Sequence, residues 1–198
     1  MNNKIKQILE LKEEYLGGKR EETVSGHDYY MMMAKAASLK SKDPNTQVGA
    51  CIVKDDEILS IGCNNPPKNW DEKEFPFGNN VGEIGEMNTK YPYIIHAEMD
   101  AVANYKGSIK DLEGSTLYVT LFPCINCAKL ITKFGIKNVV YFDIRTKQDD
   151  TVYSSILLSR CNISFINYKD LKEKELQGVD IDLNLKNNDN IKLLKYEK

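Results

Sequence analysis

The segment "YPYIIHAEMDAVANY" holds His96 and, two residues on, Glu98, while "LFPCINCAKLI" holds Cys124 and, three residues on, Cys127. An imidazole and two thiols are soft or borderline ligands. Together they suit Zn2+ in the tetrahedral arrangement that leaves a fourth corner for water. Three protein ligands make such a site catalytic rather than structural. Cysteines three apart on a helical turn put their sulfurs on one side, where both can grip one ion. A carboxylate two residues past the histidine reaches the open corner without being a ligand, so Glu98 would carry protons. Because zinc lowers the pKa of bound water to about 7, the chemistry would be hydrolytic at neutral pH. Each piece alone has a plainer explanation. An isolated histidine is more often a satisfied interior side chain, and an isolated C-x-x-C can be a redox pair or half of a four-cysteine structural site. The combination carries the catalytic reading.

For these residues to meet, His96 and the cysteine pair must each open a helix, and the two helix starts must converge. The elements around them allow it. From Asp28, "DYYMMMAKAASLKSK" has apolar residues at helical spacing, with Asp28 as N-cap, and stops before the turn signature "DPN". "QVGACIVK" and "EILSIGCN", separated by "DDE", read as a β-hairpin. Residues 65–89, with three prolines and three glycines, read as a long function-bearing loop. Then follow a helix in "IIHAEMDAVANY", a strand in "STLYVTLF", a helix in "INCAKLITKFG" closed by Gly135, and a strand in "KNVVYFDI". A helix in "DTVYSSILLSRC" and a strand in "ISFINY" complete the alternation. The order αββαβαβαβ predicts an α/β fold, a three-layer αβα sandwich around a mixed five-stranded sheet. Residues 1–25 read as a helical extension ended by glycines, 26–169 as the catalytic domain, and 170–198 as a polar tail in which only "VDIDLNL" hints at a strand.

The totals exclude several classes. The chain has 198 residues, 41% of them hydrophobic, enough for one ordinary core. Its formal charge of -2, with charges of both signs interspersed, offers no basic stripe for a nucleic-acid polymer. The first residues lack the apolar stretch of a secretory signal and no run is long enough to span a membrane, so a cytoplasmic location is expected. Five cysteines at scattered positions argue for reduced thiols rather than a disulfide framework. Cys51, Cys63 and Cys161 read as buried free thiols rather than ligands of a second zinc, because the other histidine, His27, stands apart before the first helix.

H-A-E followed by P-C-x-x-C is the signature of zinc nucleobase deaminases. Beyond that signature, "SKDPNTQVGACIV", "TKYPYIIHAEMDAV" and "LYVTLFPCINCAKLI" resemble the deoxycytidylate (dCMP) deaminases, in order from Asp28 to Tyr168. Deaminases of tRNA adenosine share the short signature but do not usually carry "DPNTQVGA" or "CAKLI", and free-nucleoside cytidine deaminases typically place cysteine where His96 stands. The resemblance implies hydrolysis of dCMP to dUMP and ammonia, feeding thymidylate synthesis, with one zinc per chain held by His96, Cys124 and Cys127 and with Glu98 moving the proton. It implies substrate contacts from the Ala97 backbone and the Asn64 side chain, with Asn45 in "DPNTQ" as a further polar candidate that is equally suited to capping its own turn.

A monophosphate needs positive charge near the carboxyl ends of the strands, where Arg145 and Lys147 follow "VVYFDI". The family often has an aromatic residue in this stretch, where this chain reads "IRTKQ". Regulated members carry a G-Y-N-G-x-P-x-G segment that binds dCTP or dTTP with Mg2+ between the subunits of a homo-oligomer, commonly a hexamer. Here the segment reads "GCNNPPKNW", with Cys63 for the aromatic and Asn65 for a glycine. The expectation is a homo-oligomer, hexamer or dimer, with weak or absent response to dCTP and dTTP. Trp70 and "FPF" at 75–77 are expected to pack the long loop or a subunit contact.

Overall fold

The computed structural model describes residues 20, 23–83, 85–145 and 149–177. Of the helical extension expected over residues 1–25, residues 1–19, 21 and 22 lie outside the described residues, as do Lys147 and the "VDIDLNL" segment, and residues 23–25 are not helical. The elements are α1 (Gly26–Ser38), β1 (Gly49–Lys54), β2 (Glu57–Cys63), α2 (Ala97–Asn104), β3 (Thr116–Leu121), α3 (Ile125–Lys133), β4 (Asn138–Asp143), α4 (Asp149–Arg160), β5 (Ser164–Asn167) and α5 (Tyr168–Leu176). Short 3-10 turns at Gly85–Asn88 and Ile109–Leu112 interrupt the connections on either side of α2.

The five strands form one sheet in the order β2-β1-β3-β4-β5. β1 runs antiparallel to both β2 and β3, whereas β3, β4 and β5 are parallel, so the sheet is mixed as expected. Asp55 and Asp56 turn the hairpin with φ of 49 and 61°. Two left-handed residues give a twist that matches the flanking strands, and aspartate tolerates that conformation better than most side chains.

Alternation along each strand divides the core in two. Ala50, Ile52, Leu117, Val119, Val139 and Phe165 face α2, α3 and α4. Their neighbours Cys51, Val53, Tyr118 and Val140 face α1 and α5 on the other side. The three-layer sandwich follows directly.

Two boundaries differ from the sequence reading. Helix α1 begins at Gly26 and is capped by Ser25, whose hydroxyl accepts the Asp28 N–H at 3.2 Å, so Asp28 stands inside the first turn and is not the N-cap. The expected polar tail starts too early at residue 170, because α5 runs across that point to Leu176 with Leu171 fully buried. Its anchors are ionic as much as apolar. Lys172 bonds Asp28 at 2.9 Å and pairs with Glu175, and the Tyr168 hydroxyl donates to Asp28. The long connection from Asn64 to His96 also has internal order. Trp70 packs edge-on against Phe75 and tilts against Tyr93, Phe75 packs on Phe77, and Asn65 and Ile95 exchange backbone bonds at 3.1 and 2.9 Å. These aromatics pack the loop itself.

Candidate metal centre and active site

His96 and Cys124 occupy equivalent places, the N-cap positions of α2 and α3, each with extended backbone (φ -74, ψ 154° and φ -69, ψ 170°). Serine or aspartate there would ordinarily bond the helix's free N–H groups. Neither His96 nor Cys124 makes such a bond, which leaves both side chains directed at each other. The α3 start is capped instead from the next helix: Asp150 in the first turn of α4 accepts the Ile125 N–H at 3.2 Å, and the Ser154 hydroxyl donates to the Pro123 carbonyl at 2.7 Å. Helix α2 is positioned by contact. Gly62 of β2 lies against its backbone so closely that an added Cβ would stand 2.2 Å from the Ala101 nitrogen, and Ala97 and Ala101, both fully buried, are the small residues that this approach needs.

As a result, His96 Nδ1 lies 3.4 Å from the Cys124 sulfur and 3.3 Å from that of Cys127, and the three ligand atoms fall within 4.8 Å of one another. With Zn–N near 2.0–2.1 Å and Zn–S near 2.3 Å, a tetrahedral centre sets N···S at roughly 3.5 Å. The triad therefore fits a zinc ion, with Nδ1 as the imidazole donor. Its electrostatics agree. The Cys124 thiol is pushed down to about 4, chiefly by its hydrogen bond with Cys127 and further by His96, while the same bond and burial push Cys127 up. The bond to Cys124 raises His96 to about 8. Negative charge thus gathers on sulfur at a point faced by two helix N-termini.

Glu98 is buried in the first turn of α2. Burial pushes its carboxyl above the usual carboxylate range, against the opposing pull of the His96 imidazole, its own backbone N–H and the Cys127 thiol. A carboxyl beside the metal ligands, with its pKa raised by burial, is suited to accept and return a proton.

The other candidates are placed as follows. The Ala97 N–H, at the first helical position of α2, belongs to the set that intrahelical bonds do not reach. Asn64 is buried and largely engaged, since its amide nitrogen donates to Asp43 at 3.2 Å and to the Thr46 carbonyl at 2.9 Å, and its oxygen accepts the Val48 N–H at 2.7 Å. What remains for a substrate is a lone pair on Oδ1. Asn45 is exposed and donates to the Phe77 carbonyl at 3.2 Å. Arg145, exposed beyond β4, reaches the Thr46 hydroxyl at 3.2 Å. Asn45, Asn64 and Arg145 therefore meet around one turn, residues 43–48. Thr46, Asp43, Lys90, Asp150 and Ser154 went unnoticed in the sequence. Of these only Asp43 carried a local signal, as the first residue of "DPN", and it pointed to a turn.

Asn65 does not have the positive φ that would have explained a glycine at this position. It is extended and half-buried, with its amide group spent on the Lys42 N–H at 3.1 Å and the Cys63 sulfur at 3.0 Å. Cys51 is fully buried in the core, which pushes its thiol up to about 12, whereas Cys161, expected to be buried in a helix, is exposed just past the end of α4.

Comparison with known proteins agrees with this geometry. Residues 24–143 match the family model described as the cytidine and deoxycytidylate deaminase zinc-binding region. The deoxycytidylate deaminase of Homo sapiens is 36% identical over 149 residues, covering 74% of this chain and 82% of the human one. That of Enterobacteria phage T2 is 26% identical over 178 residues, covering 72% of this chain and 95% of its own. Among solved structures, the dCMP deaminase of cyanophage S-TIM5 in complex with dCMP and dUMP superposes with a TM-score of 0.55 at 28% identity, covering 71% of this chain and 94% of that one. A match over more than half of the sequence, centred on the segments that bring His96, Cys124 and Cys127 together, places the chain in the zinc-binding cytidine and deoxycytidylate deaminase family.

Proposed function

We propose that the protein hydrolyses dCMP to dUMP and ammonia, with His96, Cys124 and Cys127 as zinc ligands and Glu98 as the proton carrier. The observation that carries this reading is the juxtaposition of the His96, Cys124 and Cys127 triad with a buried Glu98. The deoxycytidylate deaminase relatives and the cyanophage enzyme solved with dCMP and dUMP supply the substrate.

Zinc held by this triad supplies Lewis acidity that makes water nucleophilic near neutral pH. The remaining work belongs to the chain. Glu98 takes one proton from the attacking water and delivers it to ring nitrogen N3, then takes the second from the hydroxyl now on C4 and gives it to the departing amine as the C–N bond breaks, so that one carboxyl serves as base and then as acid. Its raised pKa favours return of the proton. The Ala97 N–H and the free lone pair of Asn64 hold the base and sugar. Arg145, steadied by Thr46, supplies the positive charge for the monophosphate, with Asn45 beside it.

The same reading includes a homo-oligomer, hexamer or dimer. It also includes weak or absent control by dCTP or dTTP with Mg2+, because Asn65 fills with structural bonds a position where regulated relatives have glycine. Among the described residues no helix is long and apolar enough to cross a membrane, and a cytoplasmic setting accords with that.

The test is ammonia release from dCMP, deoxycytidine, dCTP, CMP and a tRNA, repeated with Glu98→Ala. The expected result is preference for dCMP, lost in the variant with zinc retained. Preference for the tRNA or the nucleoside, or an active Glu98→Ala, would overturn it.

A further inference from the structure

Asp43 and Lys90 form a buried ion pair for which the chemistry above has no direct use. Lys90 Nζ lies 2.6 Å from Asp43 Oδ1 and 2.5 Å from Oδ2, with the two residues 4% and 2% exposed. Desolvating two charges is costly, and a buried pair is often no more stabilising than apolar residues of the same size. What the pair holds in place is more informative.

Asp43 Oδ1 also accepts the backbone N–H groups of Asn45 at 2.9 Å and Thr46 at 3.2 Å, and Oδ2 accepts from the Asn64 amide at 3.2 Å. Arg145 in turn is bonded to Thr46. The three side chains assigned to substrate, drawn from separate segments, thus all hang from one carboxylate within two bonds. Lys90 belongs to the far end of the long loop. Its N–H donates to the Gly78 carbonyl at 3.1 Å, and its own carbonyl accepts from Tyr93 and Ile94 at 3.0 and 2.9 Å, just before the chain enters His96. Its ammonium therefore ties the loop's return to the 43–48 turn.

We propose that the Lys90–Asp43 pair is a latch that sets the substrate-recognition wall formed by Asn45, Asn64 and Arg145, with Lys90 as a positioning residue that never touches the substrate. This inference rests on the dCMP reading above. The latch fixes where the wall stands, and the metal triad is fixed separately by Gly62, Asp150 and Ser154, so binding and chemistry respond separately to its loss.

The experiment compares the zinc-loaded full chain with Lys90→Met and with the double variant Asp43→Asn/Lys90→Met. Lys90→Met leaves Asp43 buried without its counter-charge, whereas the double variant removes both charges. In the double variant the introduced amide must keep its oxygen toward the Asn45 and Thr46 N–H groups, so its NH2 faces the NH2 of Asn64. Donor meets donor, and the wall is released although no charge is stranded. The thermal midpoint is expected to fall in Lys90→Met and to recover in the double variant. In both, KM for dCMP is expected to rise about tenfold or more, with kcat within about threefold of the parent and zinc content unchanged. A KM that recovers together with the midpoint would make the pair merely structural and overturn the proposal, as would a KM unmoved in both. Where either variant fails to fold, Lys90→Gln is expected to raise KM several-fold with zinc intact, and an unchanged KM there refutes the latch. A parent chain that leaves dCMP untouched overturns the functional reading and this inference with it, a result distinct from an active parent whose variants keep its KM.

Discussion

Replacing Gly62 by alanine tests how the sheet positions the metal centre. Gly62 pairs with Ala50 across the β1–β2 ladder and lies beneath α2. A Cβ there would stand 2.2 Å from the Ala101 nitrogen, 2.6 Å from the Ala97 carbonyl oxygen and 2.8 Å from the Ala101 Cα. All three obstacles are helix backbone, so no side-chain rotation relieves them. Ordinary contact requires about 3.5 Å, and α2 must therefore withdraw by about 1 Å. Overpacking of this kind costs about 1–3 kcal/mol, offset by about 0.4–1 kcal/mol from the reduced freedom of the unfolded chain. A net loss of about 1–2 kcal/mol corresponds to a fall of about 2–8 °C in thermal midpoint for a chain of this size. The functional effect is expected to be larger in proportion, because α2 carries His96 at its N-cap and Glu98 in its first turn. Zinc affinity should drop by about 10–100-fold, the range seen when groups supporting a metal ligand are disturbed. A displacement of about 1 Å at the carboxyl should also reduce kcat for dCMP by up to about a hundredfold in fully loaded protein. Calorimetry, competition with a chromogenic chelator and ammonia release at saturating zinc measure the three effects. A midpoint within about 1 °C of the parent and an unchanged zinc affinity would refute the argument that this glycine sets the position of α2.

Two further outcomes follow from particular contacts. Arg145→Ala should lower kcat/KM for dCMP by about tenfold while leaving deoxycytidine unaffected, the low end for a charge-assisted bond because the guanidinium is exposed; equal losses on both substrates would remove Arg145 from the phosphate. His27 should make the fold acid-sensitive. Burial holds its imidazole below the ordinary range, outweighing the attraction of Glu175, which at 3.9 Å is too distant to reverse the effect. The Tyr118 hydroxyl lies 2.6 Å from Nδ1, the ring atom expected to lack a proton. The unfolded chain then binds the proton more readily than the folded one, so stability is complete above about pH 6.5 and declines as pH falls below it. Denaturant midpoints across that window should fall for the parent and fall less for His27→Gln, and parallel curves for the two would contradict the assignment.

The order of strands and helices and the metal triad were legible in the sequence because both are written locally. Each strand is an apolar run closed by turn residues, and each ligand sits at a helix start whose sequence announces it, with Gly135 taking φ of +68° just past the end of α3 as a terminating glycine should. What was not legible depends on residues far apart in the chain. "YKDLKEKEL" looks like solvated tail, since only Leu171 is deeply buried, and it becomes a docked helix through Asp28, some 140 positions earlier. Aspartate before an amphipathic run usually caps it, which is why the sequence points to Asp28. Its carboxylate is engaged by Tyr168 and Lys172, and Ser25 does the capping. Lys90 had no signal at all, since one lysine in "TKYPY" is indistinguishable from a surface residue until its partner 47 positions away is known.

The same distinction explains why the catalytic motif needs more fold around it than its four residues suggest. Using an N-cap side chain as a metal ligand removes it from capping, a change that costs about 0.5–2 kcal/mol per helix where nothing replaces it. Cys124 surrenders its cap and Asp150 replaces it from α4. His96 surrenders its cap, and the start of α2 is held by Gly62 below and by Glu98 and Asp100 in its first turn, whose charges favour a helix N-terminus. Asp100 also accepts the Cys63 N–H at 3.0 Å, which ties the helix to the end of β2. Burial among the ligands raises the Glu98 pKa, so the carboxylate nearest the α2 N-terminus is the one whose charge the interior opposes. The site thus lies where two helices begin without their usual caps, and its stability is supplied by β2 and α4, elements that carry none of the motif.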